Sequence, residues 1–401
     1  MIGIELENAI ALIKENSSEI MEYETISLLD ANGRVLGEDI YAPINNPPFN
    51  RSPLDGYALI ADDTKGASKN NPVKLKVVDE VFAGSYTDKT LKNGEAIRIM
   101  TGAKIPEGSD CVIRQEQTNE GMDIVEIYQE LDKYDNYCYK GEDIVKNDLL
   151  MHKGEILSYV HIGILSSMGF NTVKVKRKLK VALLSTGDEV CAPGHKLLEG
   201  KIYDSNMHLI NIRMRDFGIT PLYSEILGDD YEKIGKRILE IIDNVDVIIT
   251  TGGVSVGKKD IFHEVLPLIK AKRLFWKVKL KPGTPAMFSV LNNKPILSLS
   301  GNPFAALSTF ELLGRPLLSN LEGNKNIDIK KVSAKLEGEF LKSSKVRRFV
   351  RGKYENGIVK VTSKNHSSGM LFSMIGCNAL IDIKAGSPSL NNGDKVLVIL
   401  L

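Results

Sequence analysis

The sequence predicts a multidomain α/β-plus-β protein. It comprises an α/β domain with a mostly parallel sheet, a β-rich domain, a small extended N-terminal domain and a C-terminal β-barrel-like domain. Three observations predict this. The chain has 401 residues, enough for two to four domains. Between Lys178 and Leu318, strand-like runs alternate with helix-like ones, the pattern of an α/β unit. After Glu322-Gly323-Asn324 the text returns to short strands and Gly/Asn turns, as a small all-β module would. The boundaries read as 1–47 plus 141–176 for a discontinuous extended domain, 48–140 for the β-rich domain, 177–322 for the α/β domain and 323–401 for the last.

The first 35 residues read as helix, because Ile4, Ala9, Leu12 and Ile13 recur near helical spacing. Asn45-Asn46-Pro47-Pro48 breaks both helix and central strand. From Arg51 to Tyr139, alternating runs such as Val73–Val78 are separated by turn residues. Ser158–Met168 is helix-like. In the α/β region, strands are expected at Val181–Ser185, Pro221–Ile226, Val245–Thr251, Phe275–Leu280 and Ile296–Leu299. Helices are expected at Asn206–Phe217 and Tyr231–Ile242, from about Asp260, and after Asn302-Pro303. Lys395–Leu401 reads as a closing strand.

Composition excludes several classes. Hydrophobic residues at 43% and charged residues at 26% can fill several cores, so disorder is not the main state. Lys+Arg 52 against Asp+Glu 51 leaves a net charge of +1, far from the basic balance of a nucleic-acid coat. No apolar run approaches the ~18 residues that span a bilayer. The start MIGIELENAI lacks a basic n-region, so no signal peptide is expected. Cys111, Cys138, Cys191 and Cys377 form no C-x-x-C pair, and the six histidines are scattered. Neither a disulfide framework nor a zinc site is indicated, and a reducing cytoplasm is.

The most informative segment is Thr250-Thr251-Gly252-Gly253-Val254-Ser255-Val256-Gly257-Lys258-Lys259-Asp260, where a strand runs through glycines into a helix. Glycines let a ligand approach the backbone, and N–H groups at a helix start favour anions. The spacing nearly matches a P-loop, but Lys259 stands where a magnesium-binding Ser or Thr should be, which argues against an ordinary NTPase. Ser185-Thr186-Gly187-Asp188-Glu189 is a second loop at a strand end, where α/β sheets bind ligands. Its acids, with Asp229 or Asp230, supply oxygen ligands suited to magnesium, although Asp230 equally suits an N-cap.

Between Glu264 and Glu311 there is no acid, while Lys270, Lys272, Arg273, Lys277, Lys279, Lys281 and Lys294 fall there. Lys277, Lys279 and Lys281 alternate on one strand face, closed by Pro282-Gly283. A solvated sheet face is the ordinary account. Cations beside two Gly-rich loops also suit an oligo-anionic ligand. Ser300-Gly301-Asn302-Pro303 opens a helix with small groups.

Together with Ser52-Pro53-Leu54-Asp55-Gly56-Tyr57-Ala58, Arg98-Ile99-Met100-Thr101-Gly102-Ala103, Gln115-Glu116, Gly141-Glu142-Asp143 and Tyr203-Asp204-Ser205-Asn206, these segments resemble the molybdopterin molybdenumtransferase (MoeA) family. That family is similar to the E domain of gephyrin and of its plant counterpart. The resemblance covers nearly the whole chain. It implies an elongated four-domain protomer that forms a homodimer, with a MogA-like molybdopterin-binding domain. It implies insertion of molybdate into adenylylated molybdopterin, with magnesium-dependent release of AMP. It places the catalytic roles on Asp55, Thr101, Asp143, Glu189, Asp229, Asp260, Lys277 and Lys281. Glu189, Asp229 and Asp260 would hold magnesium. Ser185, Thr186, Gly187, Gly252, Gly253, Ser255, Gly257, Pro282, Gly283, Gly301 and Asn302 would bind substrate. It also implies transient contact with the molybdopterin adenylyltransferase, and neither nucleic acid nor membrane as partner.

The chain departs from the family pattern at two places. Ser300 replaces a proline that often opens Pro-Gly-Asn-Pro. Val346 stands three residues before Phe349, where the family carries an oxyanion-binding arginine, leaving Arg347, Arg348 and Arg351 as candidates; Arg351 and Ser373 are counted among the substrate-binding residues, Ser373 as the oxyanion hydroxyl. Two competing readings are an adenylyltransferase, which would usually lack the N-terminal half and the C-terminal β module, and a non-catalytic scaffold.

Overall fold

The computed structural model describes residues 1–254, 261–362 and 367–401. The chain divides into two compact units, one formed by Met1–Glu24, Gly33–Val35 and Val175–Leu401, the other by Thr25–Asn32 and Leu36–Lys174.

The first unit is built on a seven-stranded sheet. Its order is Ile2–Ile4, Lys272–Val278, Met287–Leu291, Lys294–Leu299, Val247–Thr251, Val181–Thr186, Tyr223–Leu227. Pairings are parallel except the two that flank Met287–Leu291. Successive side chains of a strand point to opposite faces. Val181 and Leu183 therefore enter one core, with Met207, Ile210 and Met214 of the helix Asn206–Asp216. Ala182 and Leu184 enter the other, with Ile234, Ile238 and Ile241 of the helix Tyr231–Ile241. Burial on both faces is why these strands read as continuous apolar runs rather than alternating ones.

The first 35 residues are not one helix. Ile2–Ile4 is an edge strand that pairs in parallel with Trp276 and Val278, and only Leu6–Glu15 is α-helical. Gly3, at φ +70°, lies within that strand. The expected helix from about Asp260 is observed as Phe262–Leu268, with residues 255–260 outside the described set.

The C-terminal part of this unit is a six-stranded sheet in the order Leu280–Lys281, Arg347–Glu355, Ile358–Val361, Lys330–Glu337, Lys395–Leu400, Ala379–Ile383. Ala379–Ile383 also pairs with Arg347–Glu355, which closes the sheet into a barrel. Phe349, Leu380 and Ile399 leave this barrel for the same core as Phe304 and Leu317, so barrel and α/β layer are packed together.

The second unit holds a five-stranded sheet, ordered Cys111–Arg114, Gly56–Leu59, Glu95–Ile99, Ser68–Val81, Ile124–Gln129. Tyr57, Leu59, Ile97, Ile99, Val112 and Ile127 fill its core. The expected helix appears as Tyr159–Ser167, and Ser158 and His161 form its capping box. Among the described residues no helix is long and apolar enough to cross a membrane.

Candidate functional site

The carboxyl ends of the parallel strands of the first unit open onto a cleft of ≈ 430 Å³. Three loops form it: Ser185, Thr186 and Gly187 after one strand, Thr251, Gly252 and Gly253 after its neighbour, and Ser300, Gly301 and Asn302 after the next. They pack closely. Gly252 has φ +90°, and a Cβ there would lie 2.3 Å from the carbonyl oxygen of Thr186. Only glycine permits both the conformation and the approach.

Glu189 and Asp229 line this cleft. Asp188 accepts a hydrogen bond from the Asp229 backbone N–H at 2.9 Å, tying the two acid-bearing loops together. Asp230 is committed elsewhere: its Oδ1 accepts from the N–H groups of Glu232 and Lys233 at 3.1 and 3.0 Å, the N-cap of the following helix. The Lys233 N–H is the main cause of a carboxyl held below its usual range. Ser255, Gly257 and Asp260 lie outside the described residues.

A second cleft, of ≈ 280 Å³, shares Pro285, Ser300 and Asn302 with the first. Lys281, Pro282, Gly283 and Thr284 form one wall, and Arg348, Phe349 and Ser368 another. Gly283 sits at φ +100°, where a Cβ would come 2.3 Å from the Thr309 methyl. The Ser368 carbonyl accepts from the N–H groups of Phe304 and Ala305 at 2.9 and 3.3 Å, fixing that wall to the helix Pro303–Thr309.

The three lysines of the acid-free stretch have three different surroundings. The expected strand Phe275–Leu280 is broken: Val278, buried, ends a strand of the seven-stranded sheet, and Leu280, also buried, begins one of the six-stranded sheet, so the lysines do not share one strand face. Lys277 takes φ +65°, and its ammonium lies 4.0 Å from the centroid of the Trp276 ring. Lys279 pairs with Glu5 at 2.9 Å, an acid supplied from the distant N-terminal helix start. Lys281 alone of the three lines a cleft.

The three arginines separate as clearly. Arg347 is bidentate to Asp382 at 2.8 and 2.6 Å and reaches Glu7 at 2.5 Å. Arg351 is fully buried. Its Nη2 donates to the carbonyls of Ser367 and Met370 at 2.9 and 2.5 Å, and its guanidinium stacks 3.5 Å from the Phe304 ring centroid. Burial pushes its pKa down. It supports the loop that carries Ser368 and does not itself line either cleft. Arg348 does line the second cleft. Ser373 donates to the Met370 carbonyl at 3.3 Å and is in neither wall; Ser368 is the serine there.

Asp55, Thr101 and Asp143 belong to the second unit. Asp55 precedes the strand Gly56–Leu59, and Thr101 follows Glu95–Ile99, the neighbour of that strand. Both line an open depression with Arg114, Gln115, Glu116 and Asn136. Asp143 accepts from Asn46 Nδ2 at 3.0 Å.

Sequence reasoning left Arg348 as one of three candidate arginines and did not single out Ser368, Asp204 or Asn206 as wall residues. The Tyr203–Asn206 motif marked the last two, but no charge or spacing signal distinguished them from a helix start.

Three family models match the chain. They are the MoeA N-terminal region, domains I and II, over residues 4–169; a probable molybdopterin binding domain over 182–320; and the MoeA C-terminal region, domain IV, over 333–401. A protein named molybdopterin molybdenumtransferase from Staphylococcus epidermidis is 34% identical over 400 residues, covering 99% of this chain and 95% of that protein. One of the same name from Staphylococcus aureus is 34% identical over 388 residues, covering 96% and 93%. The crystal structure of a molybdopterin biosynthesis MoeA protein from Pyrococcus horikoshii superposes with a TM-score of 0.86 at 32% identity, covering 99% of each chain.

Proposed function

The chain belongs to the molybdopterin molybdenumtransferase family, a transferase family of molybdenum cofactor biosynthesis, and from that premise we propose how its two clefts divide the work. The first takes adenylylated molybdopterin. The second takes molybdate. Water adds to the adenylyl phosphoanhydride, which splits into AMP and the molybdopterin phosphate, and molybdate gives up one oxide, lost as water with the two thiol protons, as the dithiolene sulfurs bind molybdenum.

The observation that carries this reading is the pairing of the clefts. Gly-rich loops and two carboxylates line one, Lys281 and Arg348 line the other, and Pro285, Ser300 and Asn302 belong to both. Molybdate is a dianion and the other substrate brings a pyrophosphate. Fixed cations are needed to bring such charges together, and holding both substrates side by side removes much of the entropic barrier. Arg348 takes the oxyanion role, since Arg347 is committed to Asp382 and Arg351, buried and bonded to backbone carbonyls through Nη2, lines neither cleft.

Magnesium fits the first cleft. Among the described residues no three acids, histidines or cysteines are grouped as a closed metal cage. Magnesium is commonly held by one or two carboxylates plus substrate phosphates, and Glu189 and Asp229 are two such groups. When bound, the ion would neutralise charge on the phosphate oxygens. The roles that the family likeness gives to Asp55, Thr101, Asp143, Asp260 and Lys277 belong to the same proposal, as do a homodimer and transient contact with the adenylyltransferase. The four free cysteines suit the reducing cytoplasm.

The test is chromatography of AMP released from adenylylated molybdopterin at fixed magnesium, with and without molybdate. Molybdate-dependent AMP is the expected result; an intact substrate under both conditions would sink the proposal.

A further inference from the structure

Two residues in the wall of the first cleft each carry a buried oxygen with no partner among the described residues: Asp204 Oδ2 and Asn206 Oδ1. Asp204 is 4% exposed and Asn206 8%. Each side chain is held by its other polar atom. Asp204 Oδ1 accepts from the Met207 N–H at 3.0 Å, and Asn206 Nδ2 donates to the Gly301 carbonyl at 2.8 Å. The two residues flank Ser205 at the start of the helix Asn206–Asp216. Each side chain is therefore anchored through one polar atom and keeps one acceptor without a donor.

A buried acceptor without a donor is unfavourable, and such atoms in a folded protein call for an explanation. An ionised carboxylate and an amide oxygen only accept hydrogen bonds. They repel phosphate and oxyanion and select N–H groups. Tyr203 lines the same cleft, its ring held by the hydrogen bond from its hydroxyl to the His195 carbonyl at 2.8 Å, so an aromatic wall adjoins the two acceptors.

We propose that Asp204 Oδ2 and Asn206 Oδ1 receive the amino-pyrimidinone edge of the pterin. That edge carries an exocyclic amino group beside a ring N–H, two donors on neighbouring atoms. Adenine instead places a ring acceptor beside its amino group, so only one of its neighbouring atoms suits the pair. This inference rests on the reading that the first cleft binds molybdopterin, and it gives the substrate a direction: pterin toward the helix start at Asn206, phosphates toward the Gly-rich loops.

The test compares the parent protein with Asp204→Asn and Asp204→Ser. The asparagine keeps an acceptor for Met207 and puts an N–H donor where the second oxygen was. The serine keeps a capping oxygen and removes the second acceptor. Affinities for molybdopterin and for AMP are measured separately at equilibrium, with thermal unfolding as the check on folding. Molybdopterin affinity is expected to fall about tenfold or more in both variants, the size of a lost hydrogen bond to a charged group, with AMP affinity and the unfolding midpoint retained. Pterin should also displace molybdopterin from the parent better than lumazine does, which has an oxo group in place of the amino group. That preference should disappear in Asp204→Asn, a change no purely structural role would produce. Unaltered molybdopterin affinity in both variants, or loss of AMP affinity alone, overturns the inference. A parent protein that binds no molybdopterin overturns the proposed function itself and this inference with it.

Discussion

Asp55 Oδ1 accepts two hydrogen bonds from Thr101, one from its backbone N–H and one from its hydroxyl, each at 2.7 Å. The two residues come from adjacent strand ends, so the sheet register sets the contact. The Thr101 N–H first, and its hydroxyl second, hold the Asp55 carboxyl below its ordinary range. The folded value is depressed, so its stabilising contribution is present above the unfolded carboxylate range and is lost as pH falls through the folded value. Thr101→Val removes the second donor. The Asp55 carboxyl should then titrate higher, measured by carbon-detected NMR, and an unchanged titration would show that the hydroxyl has no part in the shift.

Arg347 and Arg348 are neighbours with opposite expected phenotypes. Asp382 is buried, with its side chain 1% exposed, and Arg347 is its bidentate partner. Arg347→Ala should cost about 3–5 kcal/mol by stranding a buried charge, read as a lowered denaturation midpoint. Arg348→Ala should leave that midpoint near the parent value and weaken molybdate binding, measured by calorimetry. Equal destabilisation by both changes would refute the division of roles.

Lys279 and Lys281 make a second contrasting pair. Lys279 and Glu5 are each more than half exposed, so their ion pair is worth at most about 1 kcal/mol. Lys279→Ala is expected to leave turnover unaltered. Lys281→Ala should raise the molybdate concentration needed for half-maximal AMP release, with little change in stability. A Lys279 variant as impaired as the Lys281 variant would count against the assignment.

Glu189→Gln and Asp229→Asn should each raise the magnesium concentration required for AMP release. The parent rate should be partly restored by excess metal, because one carboxylate remains in each variant. Magnesium titrations that superimpose on the parent curve would remove both residues from the metal site.

Much of the α/β fold is legible in the sequence, because strands buried on both faces leave unbroken apolar runs such as Val181–Leu184. The helices after Asn206 and Tyr231 carry clear periodicity and a clear cap at Asp230. The strand Ile2–Ile4 is hidden because its partner, around Trp276, is distant in sequence and three residues carry no period. Met287–Leu291 is hidden as well: it reverses the chain direction within a sheet otherwise expected to be parallel. At the site, backbone motifs located the cleft loops, since glycines leave a mark that side-chain chemistry does not. Choosing among three arginines was beyond sequence, because Asp382, which neutralises Arg347, and Phe304, which stacks on Arg351, are brought in by tertiary packing alone.

Trp276 is the single tryptophan of the chain, and the Lys277 ammonium rests 4.0 Å from its ring centroid. All indole emission therefore originates at one spot, beside a positive charge that perturbs its excited state. Any anion that draws the lysine off the ring will change the colour or intensity of that light. The protein carries its own fluorophore, and occupancy of the lysine can be followed in a cuvette without a label.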